Sequence, residues 1–167
     1  KRLNAGGINP LGQARVTAEG PAWARVDGDA SLGMIGSTFA MRQAIRKAAV
    51  SGIGFAGLCN SCHFGAAGCY ASLAADEGMI GIAMCNDTPT VTVPGARGPV
   101  LGSNPIAYAV PAGEQLVLLD IATSTVAGGK VFSAAALGES IPEGWIVDEQ
   151  GRPATDPSTF PAKSTLT

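Results

Sequence analysis

The sequence predicts an α/β fold with a mixed, partly parallel sheet and flanking helices, on three observations. A helical run at 32–50 leads into a short apolar strand, a second helix and a second apolar strand between residues 53 and 85. Further strand-like runs recur at 105–122. Gly52 closes the first helical run, and prolines and glycines punctuate the stretch 141–157, which reads as loop.

In chain order, RVTAEGPAWARVDGD reads as two short strands with a turn at Gly20-Pro21, followed by a turn at Asp27-Gly28. Leu32, Ile35, Phe39, Ile45 and Ala49 keep helical spacing, Arg42, Arg46 and Lys47 sit in the half where cations suit the macrodipole, and Gly52 terminates the helix. IGFAGL (53–58) is a buried strand, AAGCYASLAADEG (66–78) a helix and MIGIAMC (79–85) a second buried strand. Strand, helix, strand predicts a parallel crossover, with residues 59–65 in the turn at a strand's C-terminal end, where ligands sit in open α/β sheets. PIAYAV and LVLLDIA follow as strands and STVAGGKVFSAAAL as a helix. IPEGWIVDEQGRPATDP reads as a long polar loop, and no apolar pattern closes the final stretch.

At 167 residues and 46% hydrophobic the chain can bury one core, so a single domain over 1–167 is expected. A net charge of −2 with only 14% charged residues gives no basic field for nucleic acid. No apolar run is long enough to span a bilayer, and KRLNAGGINP lacks a signal-peptide core, so a soluble cytoplasmic protein is expected, with its four cysteines reduced. The chain begins at Lys rather than Met, and both ends read as cut from something longer.

Chemistry concentrates in CNSCHFGAAGCY (59–70), which holds the only histidine and three of the four cysteines. Cys59-Asn60-Ser61-Cys62-His63 matches the C-x-x-C-H of covalent haem attachment, but no second His offers an axial ligand, although four Met remain, and no export signal precedes it. A zinc site would need adjacent Cys62 and His63 as ligands together, and no second cysteine pair stands at zinc spacing. Gly52-Ile53-Gly54-Phe55-Ala56-Gly57 spells G-x-G-x-x-G with a helix before it and a strand after it, the reverse of a dinucleotide fingerprint. It reads as a helix terminator and close strand packing. STVAGGKV lacks the first glycine of a phosphate loop and the Ser or Thr after the lysine.

The segment NSCHFGAAGCYASLAADEGMIGIAMCNDTP resembles the S-x-H-F-G-A-A-G-x-Y-x-x-x-A-x-x-x-G-M-I-G-I-A-x-T-N-x-x-P stretch of the malate/L-lactate dehydrogenase family of NAD(P)-dependent oxidoreductases. AGGINP, VDGDASLG, PVLGSNPIAYAVPAGE, LLDIATSTVAGGKV and GESIPEGWIVDEQGRPATDP extend the resemblance in order along nearly the whole chain. It implies a family-specific NAD(P)-binding fold that is not a classical Rossmann fold. It also implies hydride transfer between NAD or NADP and a small 2-hydroxy/2-oxo acid or a cyclic imino acid.

In that frame S-C-H-F-G is the meaningful string, and the cysteines of C-x-x-C-H are incidental. Proton exchange with a substrate hydroxyl suits an imidazole, and the resemblance makes His63 the acid/base or a substrate-contacting residue. It brings Asn86 and Asp87 to the cofactor, with Thr88 toward the substrate, although Cys85 stands where the family commonly has Thr. It also brings Asp120, Ile121, Ala122, Thr123 and Ser124 to the cofactor. The same five residues read equally as a strand end and a helix cap. Arg97 reads as a surface loop residue.

Family chains are longer at both ends, and the N-terminal helical segment with its Ser-His-Gly motif and following Arg is not found here. The expectation is therefore the central cofactor-binding part of a family chain, working as a homodimer or with chains that supply the missing segments. The alternative is a catalytically silent subunit that binds or assembles. No metal site is expected.

Overall fold

The computed structural model describes residues 3–167. They divide into two compact units, one formed by the residues up to Ala83 with Ala107–Asp120, the other by Met84–Ile106 with Ile121–Thr167.

The first unit opens with the antiparallel pair β1 (Arg15–Glu19) and β2 (Trp23–Asp27). Helix α1 (Gly33–Ser51) carries the chain back so that β3 (Phe55–Cys59) pairs parallel with β2, in register from Trp23 opposite Phe55 to Asp27 opposite Cys59. Gly52 ends α1 in the left-handed region at φ 76°, where a side chain would be strained. A Cβ at Gly54 would overlap the Ala44 carbonyl oxygen and lie 2.8 Å from its carbon. The apparent G-x-G-x-x-G is thus a helix terminator followed by a glycine that lets β3 lie against α1.

Helix α2 (Gly68–Asp76) leads to β4 (Gly81–Met84), which joins β5 (Ile106–Ala112) and β6 (Gln115–Ile121) in a second sheet, in the order β4, β5, β6. This corrects the expected crossover. β2 and β3 pair in parallel across α1, whereas β3 and β4 lie in different sheets. The reason is that α2 spends its small face on β4 and β5: Ala67, Tyr70, Ala71 and Ala75 pack against Ala83, Ala107 and Ala109, joined by Met41 of α1 and Phe64. Alanine against alanine brings helix and sheet close enough that a Cβ at Gly81 would lie 2.8 Å from the Ala71 carbonyl carbon.

The second unit holds helix α3 (Gly128–Leu137) and a small sheet in which β7 (Ile146–Asp148) runs between β8 (Pro153–Ala154) and β9 (Ser164–Leu166). Its core is Val91, Val126, Val131, Ile141, Ile146, Phe160 and Leu166. Two expectations change here. The polar stretch 141–157 contains two strands, because Asp148 Oδ1 accepts the backbone N–H groups of Gln150 and Arg152 and closes a tight turn between them. The final stretch is also ordered: all three residues of β9 are buried, with Leu166 in the core. Helix α3 starts later than its sequence pattern, since residue 127 is still extended. Among the described residues, three three-stranded sheets stand where a Rossmann domain has a single open parallel sheet. No helix is long and apolar enough to cross a membrane among the described residues.

Candidate active site

Strand β3 ends at Cys59, and the chain turns through Asn60, left-handed at φ 49°, into the irregular segment that carries His63. Neighbouring elements hold this segment by its backbone. The Cys59 and Asn60 carbonyls accept the N–H groups of Gly28 and Ala30, both at 2.9 Å. Asn60 Nδ2 donates to Asp27 Oδ1 at 2.9 Å. That carboxylate also accepts the Asp29 N–H and the Arg15 guanidinium, and these contacts hold Asp27 below the usual carboxylate range, the Asp29 N–H contributing most.

His63 itself is exposed, and no hydrogen bond engages its imidazole among the described residues. Its backbone is crowded: a Cβ on Gly33, the first residue of α1, would overlap the carbonyl oxygens of Cys62 and His63 and lie 2.6 Å from the His63 carbonyl carbon. A free ring on a tightly packed backbone suits a proton carrier. Just beyond it, Phe64 stacks on Tyr70 with ring centroids 5.3 Å apart, and the Tyr70 hydroxyl donates to the Phe64 carbonyl.

Asp120, at the end of β6, sits at the start of α2. Its Oδ2 accepts the Gly68 N–H at 2.8 Å, and a Cβ on Gly68 would come within 2.9 Å of that oxygen. A carboxylate suits a helix N-terminus, and here it occupies the place a cofactor phosphate would otherwise favour. His63 and Asp120 thus flank the same helix start, five residues apart from Gly68 in one case and in contact with it in the other. The sequence places Asp120 as a local cap before α3; the structure uses it on a distant helix.

In the second unit the exposed Asn86, Asp87 and Thr88 follow β4. Asp87 N–H donates to Asn104 Oδ1 at 3.0 Å, and its carboxylate accepts the Thr88 N–H at 2.7 Å and the Ser103 hydroxyl at 3.4 Å. Thr123 reaches the same segment, donating its N–H to the Ser103 carbonyl at 2.8 Å and its hydroxyl toward the carbonyls of Gly102 and Ser103. A Cβ on Gly102 would lie 2.5 Å from the Asp87 carbonyl oxygen. Asp87 and Thr123 are therefore brought together across Gly102-Ser103-Asn104. Burial and the Asp87 charge push the Cys85 thiol up. Ile121 and Ala122 are exposed beside Thr123, while the Ser124 hydroxyl donates to the Val126 carbonyl at 2.9 Å.

One observation bears on a phosphate-bearing cofactor. Helix α3, which follows Thr123 and Ser124, has no side-chain cap, and no atom lies within 4 Å of where a Cβ on Gly129 would stand. No side chain therefore caps the start of α3, and the space beside Gly129 is open, an arrangement that suits a phosphate. Sequence reasoning missed Gly33, Ser103, Asn104 and Tyr70 as parts of these constellations. The glycine and the GSN tripeptide lay inside quoted motifs, but only the fold shows what each one touches. Among the described residues no cluster suited to a metal ion is present.

The chain is thus of the α/β class, with a histidine turn after a parallel strand and a fold unlike the classical dinucleotide domain. The malate/L-lactate dehydrogenase family model matches residues 1–167, and the chain belongs to that family. It is 45% identical over 151 residues to a malate dehydrogenase of Pyrococcus horikoshii, covering 90% of this chain and 42% of that one. It is 35% identical over 158 residues to the ureidoglycolate dehydrogenase (NAD(+)) of Escherichia coli O157:H7, covering 94% and 45%. The solved malate dehydrogenase of Entamoeba histolytica superposes with a TM-score of 0.91 at 33% identity, over 99% of this chain and 47% of that one. The chain spans less than half the length of these relatives.

Proposed function

We propose that this chain is the central, cofactor-binding part of an NAD- or NADP-dependent oxidoreductase that interconverts a small 2-hydroxy acid and its 2-oxo acid, or reduces a cyclic imino acid. The observation that carries the reading is His63: a single imidazole, exposed and without a hydrogen bond among the described residues, on a backbone packed against α1 and α2. The cofactor supplies the carbon centre that accepts or returns hydride. In the oxidation direction the imidazole takes the substrate hydroxyl proton, and in the reduction direction it gives that proton back to the oxygen or nitrogen that receives it.

On the same reading Asn86, Asp87, Ile121, Ala122, Thr123 and Ser124 bind the cofactor, and Thr88 binds the substrate. Asp120 belongs to the cofactor side as well as to the start of α2. The relatives named malate and ureidoglycolate dehydrogenase support a hydroxy acid with a carboxylate. The setting of this reading is cytoplasmic, as a homodimer or in association with polypeptide that supplies the flanking family segments; four free thiols agree with a reducing compartment.

The test follows Trp fluorescence during titration with NADH and NADPH, with turnover measured on pyruvate, oxaloacetate and piperideine-2-carboxylate. His63→Ala should bind nucleotide as before and lose about 10²- to 10⁴-fold in turnover. Nucleotide binding with no turnover in the parent chain would favour a silent binding subunit. No binding of either nucleotide would overturn the reading.

A further inference from the structure

Tyr70 carries a group that packing alone does not require. The residue is 5% exposed, and its ring fills part of the cluster between α2, β4 and β5, a volume that phenylalanine would fill equally. The added hydroxyl is costly to bury unless it is partnered. Its partner is the carbonyl of Phe64, in the irregular segment, rather than the backbone of a regular element. Ser37 of α1 lies beside the same hydroxyl.

Two successive peptide planes after His63 are thereby fixed by different helices. The plane containing the His63 carbonyl is packed against Gly33, and the plane containing the Phe64 carbonyl is held by the Tyr70 hydroxyl. Because each plane is rigid, fixing both sets the backbone angles at Phe64, and the Cys62 carbonyl, also packed against Gly33, sets those at His63, so the Tyr70 contact holds the chain that leaves His63 in place. The Phe64 ring stacked on Tyr70 at 14° closes the remaining freedom. Without these contacts residues 61–66 belong to no helix or strand and would open locally at little cost.

We propose that Tyr70 is a positioning residue for His63, acting through its hydrogen bond to the Phe64 carbonyl. The proposal rests on the reading of His63 as the proton carrier. Burial pushes the Tyr70 phenol up, with the neighbouring Cys69 adding to the effect, so the hydroxyl keeps its proton throughout the range in which an imidazole works.

The test is Tyr70→Phe, which removes the oxygen and keeps the ring. Because the chain has one histidine, a single imidazole signal reports the outcome by NMR. In Tyr70→Phe that signal should shift or split and its titration midpoint should move, while Ser37→Ala leaves both where they are. A signal and midpoint identical to the parent chain would overturn the proposal. Where the chain turns over, Tyr70→Phe should lower kcat about 10- to 100-fold at unchanged KM for the nucleotide, with the pH profile following the new midpoint. An unchanged kcat and pH profile would equally overturn it. A parent chain with no His63-dependent turnover would defeat the proton-carrier reading instead, and the imidazole signal would still decide whether Tyr70 sets His63. Should Tyr70→Phe fail to fold, raising the parent chain to the pH at which Tyr70 ionises removes the same donated proton. An imidazole signal that follows that ionisation supports the proposal, and one indifferent to it overturns it.

Discussion

The carboxylate of Asp120, at the end of β6, accepts the backbone N–H of Gly68, the first residue of α2, at 2.8 Å. A strand end thus caps a helix 52 residues earlier in the chain. Replacing Asp120 by Ala should destabilise the chain by about 0.5–2 kcal/mol, the range for loss of a helix cap. Asp120→Asn keeps an acceptor oxygen and loses only the charge, so its loss should be smaller. Urea midpoints give both values. NADH titration of the same variants then separates the two roles: an Asn variant that keeps its stability and loses nucleotide affinity marks a cofactor contact as well.

Gly33 gives a second, steric prediction. The methyl of Gly33→Ala would overlap the carbonyls of Cys62 and His63, so the His63 segment or the start of α1 must move. Overpacking of this kind costs about 1–3 kcal/mol. The variant should show a lower denaturant midpoint together with a displaced His63 imidazole signal. A normal midpoint with an unmoved signal would mean that the segment yields freely, contrary to the packing described.

How much of this was legible in the sequence follows from what each residue responds to. Helix α1 and strands β1 and β2 follow local patterns, such as periodic apolar residues, a glycine stop and a Gly-Pro turn, and the structure holds them within a residue or two. The histidine turn was legible for the same reason, because a strand end and a helix start bracket it. Sheet membership was not legible. Whether β4 pairs with β3 or β5 depends on which face Ala71 and Ala75 bury, and periodicity is silent on that. Strand β9 was missed because three residues are too few to show alternation; its burial comes from Ile146 and Val91 reaching Leu166. Asp120 and Tyr70 act through partners 52 and 6 residues away, and no local spacing selects those partners.

Acid should act on the chain through Asp27. Its carboxyl is held below the usual range by the Asp29 N–H first, then by Asn60 and Arg15. The folded state therefore prefers the ionised form more than the unfolded chain does. The resulting stability is complete above the ordinary carboxylate pKa, about 3.9, and is lost as pH falls through the lower folded value. Asp27→Asn should flatten the acid limb of a stability–pH curve and leave the neutral limb with its slope unchanged. Urea unfolding from neutral to acid pH measures it, and an acid limb as steep as in the parent would remove Asp27 as a cause.

The second sheet leads to a prediction about the surface. Ala83, Ala107 and Ala109 face α2, so strand alternation turns Ile82, Tyr108 and Val110 to the opposite face. On β6, Leu118 and Asp120 lie at Gly68, which sends Val117 and Leu119 the same way. These side chains are 38–64% exposed, an apolar sheet face open to water in the isolated chain. Apolar surface of this kind binds the dye ANS and favours association. The purified chain should therefore enhance ANS fluorescence while its near-UV circular dichroism remains that of a packed fold. Val117→Lys should reduce the enhancement and shift sedimentation toward the smaller species, because a charge in the middle of the face opposes both dye and self-contact. Equal ANS fluorescence in the parent and Val117→Lys chains would locate the dye site elsewhere, and dye binding with loss of the near-UV signal would mean a loosened core rather than an exposed face.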